Sequence, residues 1–136
     1  MHHTLRVATH GPGLVEITRE IADWLARQNV QEGLLTVFCR HTSASLLIQE
    51  NADPSVQRDL QRFFARIAPH AKDLCEHDAE GPDDMPAHVR AALTQTSLSI
   101  PGIGGGMALG AWQGVYVFEH RDAPHRREIV LMLISA

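Results

Sequence analysis

The chain has 136 residues, of which 44% are hydrophobic and 21% charged. This composition excludes wholesale disorder and leaves enough apolar residues for a core. The formal net charge of −4 offers no field that attracts a polyanion, so we expect no nucleic-acid partner. No apolar run approaches the roughly 20 residues that span a bilayer, and we expect no membrane partner. Only two cysteines occur, which favours a cytoplasmic protein without disulfides.

Nine histidines are an unusual number for so short a chain. Histidine is a common transition-metal ligand and is suited to proton transfer near neutral pH. His2 and His3 follow Met1, and we interpret them as a frayed or added terminus. Local context places three more in turns or at the surface, namely His10, His70 and His125. The remaining candidates are His41, His77, His88 and His120.

The first third of the chain predicts two strands around one helix. Leu5–Thr9 is compatible with a short strand, and a glycine-proline turn over His10–Gly13 follows it. Thr18 is a suitable N-cap for a helix that carries apolar residues at helical spacing and ends near Asn29. Leu34–Arg40 then has the alternation of a strand.

Residues 45–69 predict a strand followed by the most clearly marked helix. Ser45–Asn51 favours a strand, and Asp53 with Pro54 is typical of an N-cap followed by proline at the first helical position. Five apolar side chains then recur at helical spacing and predict an amphipathic stripe, namely Val56, Leu60, Phe63, Phe64 and Ile67. Pro69 ends this helix.

The second half of the chain predicts a long polar loop, a short helix and three strands. Residues 69–86 contain seven ionisable Lys, Asp and Glu side chains and almost no apolar periodicity, which is typical of a functional or a disordered segment. A helix is predicted over Pro86–Leu93, and strands are predicted over Ser97–Ile100, Ala111–His120 and Glu128–Ile134. This order predicts one α+β domain over residues 1–136, with mixed or antiparallel β-sheets packed with two main helices.

Two segments carry candidate metal-ligating or hydrogen-bonding side chains. His41–Ser45 places an imidazole and three hydroxyls between two strands; the alternative is a turn whose hydroxyls satisfy the local backbone. His77 and His88 bracket four carboxylates, a donor set that suits a metal site with nitrogen and oxygen ligands. The alternative is a solvated acidic loop in which Asp84 or a neighbour caps the next helix.

A third segment, Glu119–Arg121, ends an otherwise apolar strand. Ionisable residues in this position often mark the rim of a pocket, where Arg121 would hold a phosphate or carboxylate through two hydrogen bonds. The alternative is a salt bridge at a strand end. Arg126 and Arg127, which follow the turn, predict a solvated hairpin tip.

Together these segments resemble the YjbQ-like family, whose members are often described as secondary thiamine-phosphate synthases. The matching stretches follow the order of the family and span nearly the whole chain: His41–Ser45, Glu50–Pro54, Glu80–His88, Gly110–Tyr116 and Glu119–Arg121. The resemblance implies a homotrimer packed around a threefold axis, with a histidine-rich pocket suited to a metal near or at the subunit interface.

The resemblance also implies an activity, in which a pyrimidine diphosphate is joined to a thiazole phosphate with release of pyrophosphate. On this basis we expect a metal-assisted enzyme that acts on a small phosphorylated molecule. The expected metal ligands are His41, His77 and His88. The expected catalytic residues are Thr42, Ser43, Asp84, His120 and Arg121. Glu50 and Asn51, together with Arg121, are expected to bind the substrate.

The residues leave the metal and the reaction class open. Histidine ligands favour a zinc-like divalent ion, whereas departure of diphosphate usually relies on magnesium held by oxygen atoms. A zinc-type hydrolase or lyase is therefore one alternative, and a non-catalytic trimeric module that binds a metal or small ligand is another. The chain also has Ile103, Gly104, Gly106 and Ala111 where the family commonly has Thr, Asn, Arg and Thr. Any anion contact of that arginine would fall here to Arg121 or be lost.

Overall fold

The computed structural model describes residues 1–70 and 75–136. The elements in chain order are β1 (His2–His10), β2 (Gly13–Glu16), α1 (Thr18–Ala26), β3 (Glu32–Cys39), β4 (Ala44–Glu50), α2 (Pro54–Ile67), α3 (Asp84–Leu93), β5 (Ser97–Ile103), β6 (Gly106–Met107), β7 (Gln113–Glu119) and β8 (Pro124–Ser135). Of the polar loop predicted over 69–86, residues 71–74 lie outside the described residues. The predicted order of strands and helices is confirmed, and β2 and β6 are two short strands that the sequence patterns missed.

The strands form two sheets, and each strand pairing between the named elements is antiparallel. The larger sheet has the order β1-β8-β3-β5-β6, and the smaller has the order β2-β7-β4. In the described ranges three helices accompany them. The α+β class is therefore confirmed, with antiparallel sheets.

The main core lies between the two sheets and includes the inner side of α1. Leu35 and Val37 of β3 face Val115 and Val117 of β7 in one apolar cluster, to which Ile21 of α1 belongs. Burial of this apolar surface is the main force that holds the layers together.

The other face of the smaller sheet is buried as well, because α2 lies on it. The Phe64 ring of α2 meets the Phe118 ring of β7 edge-on, with centroids 5.2 Å apart, and Gln57 donates to the Tyr116 hydroxyl. All of β7 after Gln113 is consequently buried. Strand β7 therefore carries the polar residues at its end, Glu119 and the following His120, into the interior.

The structure confirms the predicted start of α2 and corrects the predicted starts of α1 and α3. The Ser55 N–H donates to Asp53 Oδ1 at 2.9 Å, so Asp53 caps α2. Helix α1 is preceded by Ile17 as N-cap residue, and the Thr18 hydroxyl instead donates to Glu16 at 2.8 Å. Helix α3 begins at Asp84, earlier than the predicted start at Pro86.

The N-terminal histidines are part of the sheet, so their interpretation as a frayed terminus is wrong. His2 pairs with Met132 and His3 with Leu131 in the β1–β8 ladder. The His3 ring also stacks on Trp24 with centroids 6.1 Å apart. Backbone pairing over the whole of β1 therefore orders the start of the chain.

The outer side of the larger sheet carries several exposed apolar residues. We call these the outer apolar face: Leu34, Phe38, Ile103, Met132 and Ile134. None of the helices in the described part of the chain combines the length and apolarity needed to cross a membrane. Both cysteines, Cys39 and Cys75, are free thiols.

Candidate metal centre

Three side chains meet at the N-terminal end of α3 and bring their donor atoms together. One ligand atom each of His77, Asp84 and His88 lies within 4.8 Å of the other two. His77 Nε2 is 2.7 Å from Asp84 Oδ2, and His88 Nε2 is 3.3 Å from the same oxygen. The Asp84 side chain is 1% exposed and that of His77 is 53% exposed. The cluster thus has a buried carboxylate and a side that is open to solvent.

Local sequence explains why two of the three residues meet. Asp84 and His88 are four positions apart on α3, so their side chains lie on the same face of the helix. Gly81 has a φ of +103°, a conformation that favours glycine, and its carbonyl accepts from the Asp84 N–H at 3.3 Å. This turn leads the chain from His77 into the helix.

The His88 ring is oriented by a backbone group from another part of the fold. His88 Nδ1 lies 2.8 Å from the Thr42 carbonyl oxygen, to which it donates. The lone pair of a neutral His88 is therefore on Nε2, the atom that faces Asp84. Such a hydrogen bond on the far nitrogen is the usual support of a metal-ligating histidine.

Arg121 holds the carboxylate of Asp84 and that of the neighbouring Asp83. Its Nε donates to Asp83 Oδ2 at 2.9 Å and one terminal nitrogen donates to Asp84 Oδ1 at 2.8 Å, while the other donates to the Glu80 carbonyl at 3.0 Å. Burial opposes ionisation of Asp84, but the hydrogen bond from His77, the charge that His88 carries when protonated and the charge of Arg121 together outweigh it and lower the pKa of Asp84. Asp84 is thus kept ionised, with Oδ1 engaged and Oδ2 facing the histidines.

The donor set of two imidazoles and one carboxylate fits a divalent transition metal. Zinc accepts three protein ligands of this kind and keeps a further position open for water or substrate in catalytic sites. The same set with open positions is also known for iron(II). Magnesium fits less well because it prefers oxygen ligands. The candidate donors here are His77 Nε2, His88 Nε2 and Asp84 Oδ2.

His41, which we expected to be a metal ligand, is not brought into this cluster. Its Nε2 accepts a hydrogen bond from the Glu128 backbone N–H at 2.8 Å. Burial and the positive charge of Arg127 lower the pKa of His41, which favours the neutral ring. With Nε2 engaged as an acceptor, the ring proton of neutral His41 is on Nδ1.

Thr42 contributes its backbone carbonyl, and Ser43 contributes both its carbonyl and its hydroxyl. The Thr42 carbonyl orients His88, and Ser43 accepts from Arg127 through both its carbonyl and its hydroxyl. The structure therefore places Thr42 beside the metal cluster and Ser43 in a neighbouring ion-pair network.

That network centres on Glu119 and Arg127 and was missed in the sequence. The two side chains form a buried ion pair and are 0% and 4% exposed; the interpretation of Arg127 as part of a solvated hairpin tip is wrong. Glu119 also accepts from the backbone N–H groups of His120 and Arg121, at 3.0 and 3.1 Å. Alternation with Ile129 on β8 places Arg127 on the inner face, a signal that would have identified it as buried.

His120 is buried and contacts the Ser45 hydroxyl. The residue is 2% exposed, and its Nε2 is 2.8 Å from the hydroxyl of Ser45, a residue not among the predicted site residues. Burial, followed by the positive charge of Arg90, lowers the pKa of His120 to about 3. His120 is therefore neutral at physiological pH.

Glu50 and Asn51, the expected substrate-binding residues, lie at the other end of the smaller sheet. Ala44 pairs with Glu119, whereas Glu50 pairs with Gln113, which puts the two ends of β4 roughly 20 Å apart at the usual rise per residue. Asn51 donates to Glu16 Oε2 at 3.1 Å. Within one chain the structure does not bring these residues to the histidine cluster.

Comparisons with known proteins identify the family and agree with this fold. Residues 3–136 match the model of the family described as UPF0047 protein YjbQ-like. The chain is 50% identical over 127 residues to UPF0047 protein sll1880 of Synechocystis, covering 93% of this chain and 86% of that protein. It is 41% identical over 131 residues to UPF0047 protein YjbQ of Escherichia coli, covering 96% and 94%.

Solved structures of related proteins superpose on this chain over nearly its whole length. The conserved hypothetical protein TT1486 of Thermus thermophilus superposes with a TM-score of 0.87 and 34% identity, covering 97% of this chain and 99% of that one. A YjbQ/UPF0047 family protein of Clostridium acetobutylicum, an orthologue of YugU, superposes with a TM-score of 0.85 and 30% identity, covering 98% and 99%. Sequence and fold thus agree, and the chain belongs to the UPF0047, YjbQ-like protein family.

Proposed function

We propose that this protein is a metal-dependent enzyme whose single divalent ion is bound by His77, Asp84 and His88. The observation that carries the proposal is the convergence of their three donor atoms within 4.8 Å. Two contacts pre-organise these donors: the Thr42 carbonyl holds His88, and Arg121 holds the second oxygen of Asp84. Donors that are already oriented need less ordering when an ion binds.

A zinc-like ion fits this donor set best. Three protein ligands would leave coordination positions of the ion free, and the half-exposed His77 shows that the cluster is open to solvent. An ion in this position would supply a Lewis acid and would lower the pKa of a coordinated water molecule. The chain itself supplies a fixed carboxylate in Asp84 and an imidazole in His88 whose orientation is set.

For the substrate we propose a small phosphorylated molecule, as the resemblance to secondary thiamine-phosphate synthases implies. Arg121 already donates to Asp83, Asp84 and the Glu80 carbonyl. In this arrangement its role is to position the carboxylates, so a metal held by His77, Asp84 and His88 would supply the positive charge for the substrate anion. The transfer of a pyrimidine to a thiazole phosphate is the narrow form of this proposal.

Hydrolysis or elimination assisted by the metal is the second candidate reaction. The observation in its favour is the donor set, since two histidines and one carboxylate are characteristic of zinc sites that activate water. A non-catalytic module that binds a metal or small ligand is the remaining alternative.

The metal site is tested by elemental analysis of the purified protein and two variants. We expect about one equivalent of a zinc-like ion in the wild type and a large loss in His77→Ala and in His88→Ala. His125→Ala is the matched control, because His125 lies at the start of β8, outside the cluster, and its Nδ1 donates to the nearby Ala123 carbonyl. Unchanged metal content in both site variants would contradict the proposal.

Activity is tested by incubating the metal-loaded protein with the pyrimidine diphosphate and thiazole phosphate, and separately with simple phosphate esters. Release of pyrophosphate with formation of thiamine phosphate supports the transferase. Release of inorganic phosphate from the esters supports the hydrolase. Bound metal without turnover of any phosphorylated compound favours the binding module.

We also propose that the protein forms the homotrimer that the resemblance implies. The outer apolar face supports this, because exposed apolar patches on soluble proteins often mark subunit contacts. Light scattering on the eluting protein should give three times the mass of one chain, and Phe38→Asp should shift it toward the monomer. A monomeric wild type would contradict the proposal.

A further inference from the structure

Residues 40–43, which we call the crossover, carry the chain from the larger sheet to the smaller one. Strand β3 ends at Cys39 and β4 begins at Ala44. In the middle of the crossover, the Thr42 carbonyl accepts from His88 Nδ1 at 2.8 Å. The orientation of one proposed metal ligand on α3 therefore depends on what holds Thr42 in place.

His41 holds the crossover on the side of β3. The β3–β8 ladder ends with the pair of Cys39 and Ile129, and the next residue toward the start of β8 is Glu128. The Glu128 N–H donates to His41 Nε2 at 2.8 Å, so a side chain accepts from a β8 backbone group just beyond the last ladder pair. A backbone N–H can only donate, and this fixes Nε2 of His41 as the acceptor.

Ser43 is held on the side of β4 by the neighbouring residue of β8. One terminal nitrogen of Arg127 donates to the Ser43 carbonyl at 3.2 Å and to its hydroxyl at 3.1 Å. Arg127 is itself fixed by its buried ion pair with Glu119. Because Arg127 and Glu128 are consecutive, one short stretch of β8 holds the residues on both sides of Thr42.

The hydrogen bond from Glu128 also decides what His41 can do. It engages the lone pair of Nε2, and the proton of the neutral ring is then on Nδ1. Burial, followed by the positive charge of Arg127, lowers the pKa of His41, which keeps the ring neutral and able to accept. In this arrangement neither ring nitrogen offers a lone pair to an ion.

We propose that His41 is a positioning residue for the metal centre and acts through the Thr42 carbonyl on His88. The inference rests on the proposed metal site and replaces the ligand role expected of His41 with a supporting one. By holding the crossover on β8, His41 fixes the carbonyl that orients the His88 ring, and thereby the direction of His88 Nε2. Without this support the ring must be ordered when the ion binds, which weakens binding.

The first test measures the affinity for zinc in two His41 variants of matched chemistry. A glutamine amide reaches about the position of Nε2, whereas an asparagine amide reaches only that of Nδ1. His41→Asn should raise the dissociation constant about tenfold, the lower end of the range for residues that support metal ligands, and His41→Gln should retain most of the affinity. His125→Asn, the same exchange at the start of β8, should leave it unchanged. Equal losses in both His41 variants, or no loss in either, would overturn the proposal.

The second test observes His88 directly in metal-free protein labelled with ¹⁵N in its histidine rings. The Nδ1–H that donates to the Thr42 carbonyl should give a sharp signal that exchanges slowly with solvent in the wild type and in His41→Gln. In His41→Asn the signal should broaden and exchange faster. A role of His41 in overall stability alone would lower the free energy of unfolding in urea but leave the His88 signal unchanged, and that result would overturn the proposal.

These measurements separate the inference from the proposed function. Absence of zinc binding by the wild type would contradict the proposed function, and the metal-free signal of His88 would then still decide whether His41 positions it. In cobalt-loaded protein the visible spectrum should be the same for the wild type and His41→Gln, because the ligands are the same. A different spectrum would identify His41 as a ligand and overturn the positioning role.

Discussion

Two arginines, Arg121 and Arg127, both hold carboxylates but do so in very different surroundings. Arg127 and Glu119 are almost completely buried, and each oxygen of Glu119 accepts at least two hydrogen bonds. Arg121 bridges Asp83 and Asp84, and Asp84 keeps one oxygen directed at two histidines. The first pair is saturated within the protein, and the second leaves a donor atom for an ion.

Arginine–carboxylate pairs therefore have two different roles in this protein. The Arg127–Glu119 pair stabilises the fold, whereas the Arg121–Asp84 pair supports the candidate metal centre. Glu119 accepts from the backbone of His120 and Arg121, so the buried pair fixes the turn from which Arg121 extends. A saturated carboxylate has no capacity left for a ligand. We therefore assign Glu119 and Arg127 to the support of the site and Asp84 to the site itself.

The largest expected effect is on stability, from replacing Arg127 by methionine. Removing one partner of a buried ion pair leaves the other charge uncompensated, which costs about 3–5 kcal/mol. Urea unfolding should show this loss for Arg127→Met. The control is Arg40→Met, because Arg40 and Glu128 form a pair that is 58% and 38% exposed; exposed pairs contribute about 0–1 kcal/mol. Similar losses of unfolding free energy in Arg127→Met and Arg40→Met would contradict the claim that the buried pair contributes more than the exposed one.

The next effect is on metal affinity, from replacing Arg121 by lysine. Lysine keeps the charge but cannot bridge Asp83 and Asp84 with two differently directed donors. We expect the affinity for zinc to fall about 10- to 100-fold, as for other residues that support metal ligands, while the circular dichroism spectrum is retained. Competition with a chromophoric chelator measures the affinity for zinc. Unchanged affinity would mean that Arg121 does not position Asp84.

The smallest effect is the change with pH of the stability lost in Glu119→Gln, whereas the loss at neutral pH should itself be comparable to that of Arg127→Met. Burial opposes ionisation of Glu119, but the hydrogen bonds from Arg127 and Thr9 outweigh it and lower its pKa. A lowered carboxyl pKa stabilises the fold above the unfolded value of about 4.3, and this contribution is lost as pH falls through the folded pKa. The stability gap between wild type and Glu119→Gln should therefore narrow below about pH 4. A gap independent of pH from 3 to 7 would contradict the role of the ionised carboxylate.

Several elements could be predicted from the sequence because their signals are local. The Asp53 cap, the strands β3, β4 and β7, and the placement of a helix ending at Leu93 all depend on neighbouring residues. The pairing of Asp84 with His88 was not predicted, because the sequence pattern began the helix at Pro86 and left Asp84 outside it. Since α3 begins at Asp84, four positions along the helix bring the two side chains together. His77 was a candidate by composition, but its distance from them depended on a turn that spacing alone does not determine.

The rest of the site depends on contacts between distant parts of the chain. Strand pairing places Thr42 beside His88 and carries Glu50 to the opposite end of the sheet from Glu119. It also brings Arg127 to Glu119 inside the protein. The charged residues next to Arg127 in the sequence had instead indicated a solvated hairpin tip. Register between strands is decided by burial of whole faces and not by local propensity. The sequence alone therefore determined the family, the α+β class and the candidate histidines, whereas the tertiary structure decided which of them meet a carboxylate.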